Sequence, residues 1–168
     1  MAAREGRPRG AQGPGSEAPG EAVVPALFLV DDSALQRVNQ PAVATALKEL
    51  SELGRFATCV PLQLEAGFSA TNLRSYDELM GRGFSGWTVL PPAGEVGTIA
   101  LDLQRRLFAA GQGRSAGAFD ILIAATALAA SLAGNATAVV HYDRDFDSLR
   151  AVEPRLLTRW VVPRGSIA

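Results

Sequence analysis

Histidine, cysteine and lysine are nearly absent from this 168-residue chain, and each shortage excludes a class of function. Cys59 is the only cysteine, which excludes an intrachain disulfide and a cysteine-rich zinc site, and its apolar neighbours predict a buried core thiol. His141 is the only histidine, so histidine-rich zinc sites are excluded and any Ser-His-Asp or Cys-His arrangement depends on that one residue. Lys48 is the only lysine, and the formal net charge of -1 demands no nucleic-acid partner.

Long hydrophobic runs are missing as well. The longest apolar candidate, 121–133, falls short of the roughly 18 residues that a membrane span needs, so it is interpreted as a buried helix. The first residues lack the apolar core of a signal peptide, and we expect none. Residues 1–24 are rich in Gly, Pro and Arg without hydrophobic periodicity, which predicts a disordered extension in front of a folded domain over 25–168.

Short apolar segments alternate with segments of helical pattern from Ala26 onward. This alternation predicts a single α/β domain whose central parallel sheet is flanked by helices on both faces. The predicted strands are 26–30, 56–60, 87–90, 137–142 and 158–162. The predicted helices are 33–39, 41–53, one starting at Pro61 and containing Glu65, about 93–110, one from near Asp120 to Gly134, and 145–150. Segment 73–84 either extends the Glu65 helix or follows it, with a break at Gly81–Gly83.

Four acidic residues stand at the edges of these apolar elements, although more than a hundred residues separate the first from the last. Asp31 and Asp143 directly follow predicted strands, Asp120 opens an apolar helix, and Glu65 has apolar neighbours. Sites in parallel sheets form beyond the carboxyl ends of the strands, so we expect these side chains to meet. Each also has a plainer interpretation, because Asp31 and Asp120 suit helix N-caps and Glu65 suits an exposed helix position.

The segment HYDRDFDSL contains three alternating acids. In an extended segment Asp143, Asp145 and Asp147 share one face, whereas in a turn or helix they diverge. We expect one or two of them to face the site, with Asp143 as the first choice and Asp145 as the second.

Carboxylates gathered in one pocket repel each other, which raises their pKa values until a cation binds. Ligand sets made only of oxygen select Mg²⁺ or Mn²⁺ over softer metals. Such ions polarise phosphoryl oxygens and activate water for in-line attack. The implied reaction class is metal-assisted hydrolysis of phosphodiester bonds.

Four segments, LVDDSAL, PLQLEAG, AFDILIAATALA and VVHYDRDFDSL, in this order resemble the PIN-domain ribonucleases, specifically the VapC-type toxins of bacterial toxin–antitoxin modules. The resemblance extends from about Ala26 to the end, including RWVVPRGSI. The residues that match the family's acidic metal-binding set are Asp31, Glu65, Asp120 and Asp143, with Asp145 as a further candidate and Ser33 as the hydroxyl residue that supports the first Asp.

The resemblance implies one or two Mg²⁺ or Mn²⁺ ions, endonucleolytic cleavage of RNA in the cytoplasm, inhibition by a small cognate antitoxin and a homodimer, with no membrane association. Two positions depart from the family pattern. Asp32 stands where Thr or Ser is usual, and Phe119 precedes Asp120 where Pro or a small polar residue is common. Arg114, in the loop before Asp120, either contacts substrate phosphate or faces solvent.

Two alternatives remain open. The opening LFLVDDSALQR also resembles a receiver domain of a response regulator, but that module needs a phosphoacceptor Asp after its third strand and a late lysine. Lys48 comes too early for that role, and Asp77 follows no predicted strand. The other alternative is a PIN-like domain that binds RNA or a partner without cutting.

Overall fold

The computed structural model describes residues 25–167, so the predicted extension over 1–24 lies outside the described residues. The strands are β1 (Leu27–Val30), β2 (Arg55–Cys59), β3 (Thr88–Leu90), β4 (Thr137–His141) and β5 (Leu157–Trp160). The α-helices are α1 (Asp32–Leu35), α2 (Pro41–Leu53), α3 (Val60–Gly67), α4 (Leu73–Glu78), α5 (Val96–Ala109), α6 (Ala118–Leu132) and α7 (Asp145–Val152). A π-helical turn, Leu79–Gly83, continues α4.

All five strands form one parallel sheet in the order β3-β2-β1-β4-β5. The chain starts at the centre, moves outward to β3, and then returns to the other side of β1 as β4. The direction of strand addition therefore reverses between β1 and β4, where Val30 pairs with Val140. Ligand sites of open parallel sheets form in the crevice at such a reversal.

Helices cover both faces of the sheet, as predicted. Because successive strand side chains point to opposite faces, Leu29 and Val139 face one core cluster while Phe28 and Val140 face the other. The first cluster packs against α3, α5, α6 and α7, and the second packs mainly against α2. Within the described part of the chain, no helix is both long and apolar enough to cross a membrane.

A close approach at Gly54 places β2 beside β1. A Cβ atom at this position would lie 2.8 Å from the Ala26 carbonyl oxygen and 2.9 Å from the Phe28 ring. Since only glycine lacks that atom, the turn after α2 can bring Arg55 into register with Leu27.

Two predicted boundaries are wrong. The first helix ends at Leu35 and not at Asn39, because the chain turns before Pro41 starts α2. The break does not begin at Gly81 as predicted, because the π-helical turn runs on from α4 and ends at Gly83. The interruption comes earlier, after α3, and Asn72 then starts a separate helix through a reciprocal capping box with Ser75.

Candidate functional site

Asp31 and Ser33 join the carboxyl ends of β1 and β4. The backbone N–H of Asp31 donates to the Val140 carbonyl oxygen at 2.9 Å. Asp31 caps α1, and its Oδ2 accepts from the Ser33 N–H at 2.9 Å and also from the Ser33 hydroxyl. The Ser33 Oγ in turn accepts from the Tyr142 N–H at 2.9 Å. One hydroxyl therefore orients the Asp31 carboxylate and ties it to the strand end that precedes Asp143.

Glu65 and Asp120 come to the same edge of the sheet from α3 and α6. Helix α3 starts directly after β2, with Pro61 in its first turn, and carries Glu65 as a half-buried residue. Asp120 lies in the first turn of α6, where its Oδ2 accepts from the Gly117 N–H at 2.9 Å. Its second carboxylate oxygen is not used in this cap.

Charge interactions show that these carboxylates share one environment. Burial, and after it the charges of Asp31, Asp120, Asp32 and Asp143, together raise the pKa of Glu65 to about 7. The pKa of Asp120 is raised to about 6, mainly by burial. The charges of Asp31, Asp145 and Asp143 also raise it, whereas the hydrogen bond from Gly117 lowers it. The chain thus places several acids where they are costly to ionise together.

Two carboxylate oxygens at this edge are buried without a hydrogen-bond partner, Oδ1 of Asp31 and Oε2 of Glu65. Asp31 is only 3% exposed, and burial raises its pKa although both Ser33 bonds act to lower it. An unpaired buried carboxylate oxygen is expensive unless a cation or a donor meets it. These oxygens fit a hard divalent cation, which takes oxygen ligands.

The side chains do not form a closed cage. Among residues 25–167, no group of three or more Asp, Glu, His or Cys side chains is arranged to hold a metal ion as it stands.

The acids after β4 diverge because the segment turns and then becomes helical. The Asp143 Oδ1 accepts from the Asp145 N–H at 3.0 Å, so the Asp143 side chain is held against the turn that leads into α7. Asp147 accepts from the Trp160 Nε1–H at 3.0 Å and supports β5. Of the two alternatives that the sequence left open, the structure therefore has the turn and helix in which the three acids diverge. Asp143 and Asp145 both remain at the site edge, and burial together with Asp143 raises the pKa of Asp145.

Sequence reasoning missed the part played by Tyr142. Its backbone N–H is the group that Ser33 binds, and the Arg37 guanidinium lies 4.8 Å from the centre of its ring. Its hydroxyl donates to the Ile167 carbonyl oxygen at 3.0 Å and accepts from the Gly165 N–H at 3.0 Å. The only sequence signal was its place directly between a strand and Asp143.

The single histidine does not form a catalytic triad. His141 is fully buried between the rings of Phe146 and Trp160, and its Nδ1 accepts from the Asp143 N–H at 3.3 Å. Residues 113–117 spell Gly-x-Ser-x-Gly, a pattern that the sequence reasoning overlooked. They form a loop after a helix and not the strand-to-helix elbow in which that pattern holds a nucleophile, and Ser115 makes no hydrogen bond to His141.

The remaining predicted residues surround the acids. Arg114 is exposed in the loop before α6 and forms no ion pair with any residue that the structure describes. The Asp32 carboxylate accepts a hydrogen bond from the side chain of Gln36, the residue directly after α1. This contact keeps the Asp32 carboxylate beside α1. Phe119 lines an apolar groove with Leu90 and Leu122, so its ring does not occupy the acidic edge.

Comparisons with known proteins agree with this architecture. No family model matches the chain. It is 35% identical to Ribonuclease VapC51 of Mycobacterium tuberculosis over 140 residues, 83% of this chain and 96% of that protein. It is 34% identical to Ribonuclease VapC18 of the same organism over 143 residues, 84% of this chain and 99% of that protein.

Solved structures show the same fold. A crystal structure of VapBC2 from Rickettsia felis bound to a promoter DNA fragment superposes with a TM-score of 0.64 at 15% identity, over 80% of this chain and 98% of that one. VapBC-5 of M. tuberculosis, from the VapBC family of toxin-antitoxin systems, superposes with a TM-score of 0.54 at 19% identity, over 80% of this chain and 97% of that one. A five-stranded parallel sheet with carboxylates at its point of reversal defines the class as an α/β domain with an acidic site. The chain belongs to the VapC family of ribonucleases.

The receiver-domain alternative fails on the structure as well. In chain order the third strand, β3, is followed by Pro91 and Pro92 and not by an acid. Asp77 lies on the exposed surface of α4, and Lys48 lies within α2.

Proposed function

We propose that this protein is a divalent-metal-dependent endoribonuclease that acts as the toxin of a toxin–antitoxin pair. One observation carries the proposal: Asp31 and Glu65 present buried, unpartnered carboxylate oxygens at the reversal point of the sheet, among acids whose pKa values are raised. Oxygen donors that lack any protein partner are what a hard cation needs. The family membership supplies the reaction class.

Asp31, Glu65, Asp120 and Asp143 would hold Mg²⁺ or Mn²⁺, with Asp145 next to the fourth position. The ion, once bound, would polarise a phosphoryl oxygen and lower the pKa of a water molecule. The protein's own part is to orient the ligands. Ser33 holds Asp31 through Oδ2 and leaves Oδ1 free, and Gly117 holds Asp120 in the same one-sided way.

The proposal includes the partners of the protein. The solved structures named VapBC include a member of a family of toxin–antitoxin systems, and the corresponding partner here is a small cognate antitoxin. The proposed nuclease unit is a homodimer of this chain. RNA is the substrate, which places the activity in the cytoplasm, where RNA and ribosomes are.

Replacing Asp120 by Asn tests the assignment. Asparagine keeps an oxygen that accepts from Gly117, so α6 still starts correctly, but it removes the charge from a metal ligand. We expect at least about 100-fold slower cleavage of single-stranded RNA with Mg²⁺, and no cleavage by either protein in EDTA. Asp77→Asn, an exposed acid on α4, is the control and keeps the wild-type rate. Wild-type cleavage by the Asp120→Asn protein would show that the site lies elsewhere.

Metal binding and growth inhibition distinguish the nuclease from the alternative that binds RNA or a partner without cutting. If the folded wild-type protein binds Mn²⁺ in a calorimeter but cuts no RNA at any metal concentration, the domain binds RNA or a partner without catalysis. Growth inhibition on induced expression, relieved by Asp120→Asn, supports the toxin assignment.

A further inference from the structure

An open depression with a volume of about 570 Å³ lies between the end of α5 and the start of α6. No acidic residue lines it. The lining residues of this loop cavity are Phe108, Gly111, Gln112, Gly113, Arg114 and Ser115. None of them is acidic, in a chain whose acids slightly outnumber its bases. An anionic ligand is therefore favoured here over the surrounding surface.

The loop offers hydrogen-bond donors that the described chain leaves unused. Arg114 has an exposed guanidinium and no ion pair among residues 25–167. The backbone N–H groups of Gly113 and Arg114 also bond to no described residue, unlike those of Gln112 and Ser115. Guanidinium and free N–H groups together are donors that bind phosphate.

An aromatic ring borders these donors. Phe108 is 62% exposed although it is a large apolar side chain. Gly113 lies against it so closely that a Cβ atom there would be 2.4 Å from the ring. The glycine lies against one part of the ring, and the exposed remainder of the ring lines the same depression as Arg114. Exposed rings next to cationic groups are the platforms on which single-stranded bases stack.

The loop cavity is connected to the acidic site by a short piece of chain. Gly117, two residues after Ser115, donates to the Asp120 carboxylate. Asp120 lies six positions after Arg114, so their Cα atoms are at most about 22 Å apart. A single nucleic-acid strand can span that distance.

We propose that the loop cavity is a nucleotide-binding subsite for the RNA substrate, in which Phe108 stacks on a base and Arg114 binds the adjoining phosphate. The inference rests on the proposed function and adds the residues that hold the strand beside the cutting site. Stacking on a ring tolerates every base, so this subsite selects unpaired RNA and not a sequence.

Binding is measured without cleavage, by fluorescence anisotropy of a labelled single-stranded 15-nucleotide RNA on the Asp120→Asn protein in EDTA. Phe108→Ala is expected to weaken binding about tenfold, the usual effect of losing one stacked base. Arg114→Gln is expected to weaken it and to lower the slope of log K against log salt by about 0.7, as one lost phosphate contact does. Gly113→Ala, which displaces the ring, should resemble Phe108→Ala.

Two matched controls come from the same helix. Leu101→Ala removes another exposed apolar side chain from α5, and Arg105→Gln removes another exposed charge. Both should bind RNA as tightly as the parent, and far-UV circular dichroism checks that all variants fold. If Phe108→Ala and Arg114→Gln bind like the controls, the subsite does not exist.

Cleavage separates this inference from the proposed function. If the protein with wild-type Asp120 cuts RNA and the two loop variants keep its KM, the inference fails and the nuclease stands. If the wild-type protein cuts nothing, the proposed function fails whatever the anisotropy shows. Polyglutamate serves as a competing probe, and equal loss of polyglutamate and RNA binding in both loop variants would identify the cavity as a site for acidic protein segments and overturn the RNA assignment.

Discussion

A single hydroxyl, that of Ser33, satisfies two groups that belong to distant parts of the chain. It donates to the Asp31 carboxylate and accepts from Tyr142, 109 residues away in sequence. The motif LVDDSAL predicted that Ser33 supports Asp31, and the structure has that contact. No local pattern indicated the bond to Tyr142, because it depends on β4 returning beside β1.

Ser33→Ala should therefore affect stability and metal binding together. Removing the hydroxyl leaves the Tyr142 N–H without a partner and leaves Asp31 Oδ2 with only the backbone N–H of residue 33. The expected cost is about 1–3 kcal/mol in unfolding free energy. We expect weaker Mn²⁺ binding by isothermal titration and partial recovery with Ser33→Thr. Ser51→Ala removes an exposed hydroxyl that bonds only to the Lys48 carbonyl oxygen, and it should change neither quantity.

Glu65 gives the metal-free protein a distinctive dependence on pH. Its folded pKa of about 7 exceeds its ordinary value of 4.5, so the folded chain binds this proton more tightly than the unfolded chain does. The stabilisation is complete below pH 4.5 and is lost as the pH rises through 7. Asp120, raised from 3.8 to about 6, acts in the same direction. Burial lowers the pKa of His141, which acts in the opposite direction.

Thermal melts in EDTA from pH 4.5 to pH 8 isolate the Glu65 contribution. Relative to wild type, Glu65→Gln should gain stability as the pH rises, because only the wild-type chain pays for ionisation there. Adding Mg²⁺ or Mn²⁺ at pH 8 should raise the wild-type melting temperature, since a ligand of the folded state stabilises it. Parallel pH curves for the two proteins would contradict the assignment of Glu65.

At the scale of elements, an ion-pair network connects α5 to the end of α7. Glu153 is 3% exposed, and it accepts from the Arg155 guanidinium at 2.8 Å through both carboxylate oxygens. Arg106 of α5 lies 3.4 Å from the same carboxylate and also pairs with Asp102. The bonds from Arg155 lower the pKa of Glu153 to about 2.

Glu153→Gln should destabilise the fold by about 2 kcal/mol at pH 7, because it removes charge-assisted hydrogen bonds from a buried carboxylate. Since the folded pKa is depressed, the contribution is present above pH 4.5 and disappears as the pH falls through 2. The difference between wild type and variant in urea unfolding should shrink accordingly. Glu78→Gln breaks an exposed pair with Arg74 and should cost less than about 0.5 kcal/mol. Equal effects of the two substitutions would rule out a structural role for the network.

The elements themselves were largely predictable, because apolar periodicity is a local property. Each strand begins and ends within about two residues of its predicted bounds. Pro41 and Pro61 lie in the first turns of α2 and α3, as predicted. The failure at Gly81–Gly83 has a physical cause. Glycine permits a break but does not fix where it begins, and the wide π-helical turn keeps the chain helical as far as Gly83.

At the scale of the whole molecule, the two core clusters share one sheet. Leu29 belongs to the cluster under α3, α5, α6 and α7, and Leu50 of α2 belongs to the opposite cluster. Both side chains are fully buried. Since the central strands β1 and β4 contribute side chains to both clusters, neither cluster can form without the sheet that supports the other.

Leu29→Ala and Leu50→Ala should each cost about 2–5 kcal/mol and should keep a single unfolding transition. Trp87 lies before β3 and Trp160 lies in β5, so tryptophan fluorescence reports both edges of the sheet during urea unfolding. Coincident fluorescence and circular dichroism curves are expected for all three proteins. An early separate transition in Leu50→Ala would mean that the α2 face unfolds independently.

The order of residues along the chain was enough to predict the α/β class, the parallel sheet and the placement of acids at strand ends and helix starts, because each of these follows from neighbours within a few positions. Only the tertiary structure decided that Tyr142 connects to Ser33 and that Glu153 joins α5 to the end of α7. Those contacts depend on strand order and on the close approach of surfaces. Many sequences with the same local pattern satisfy them differently.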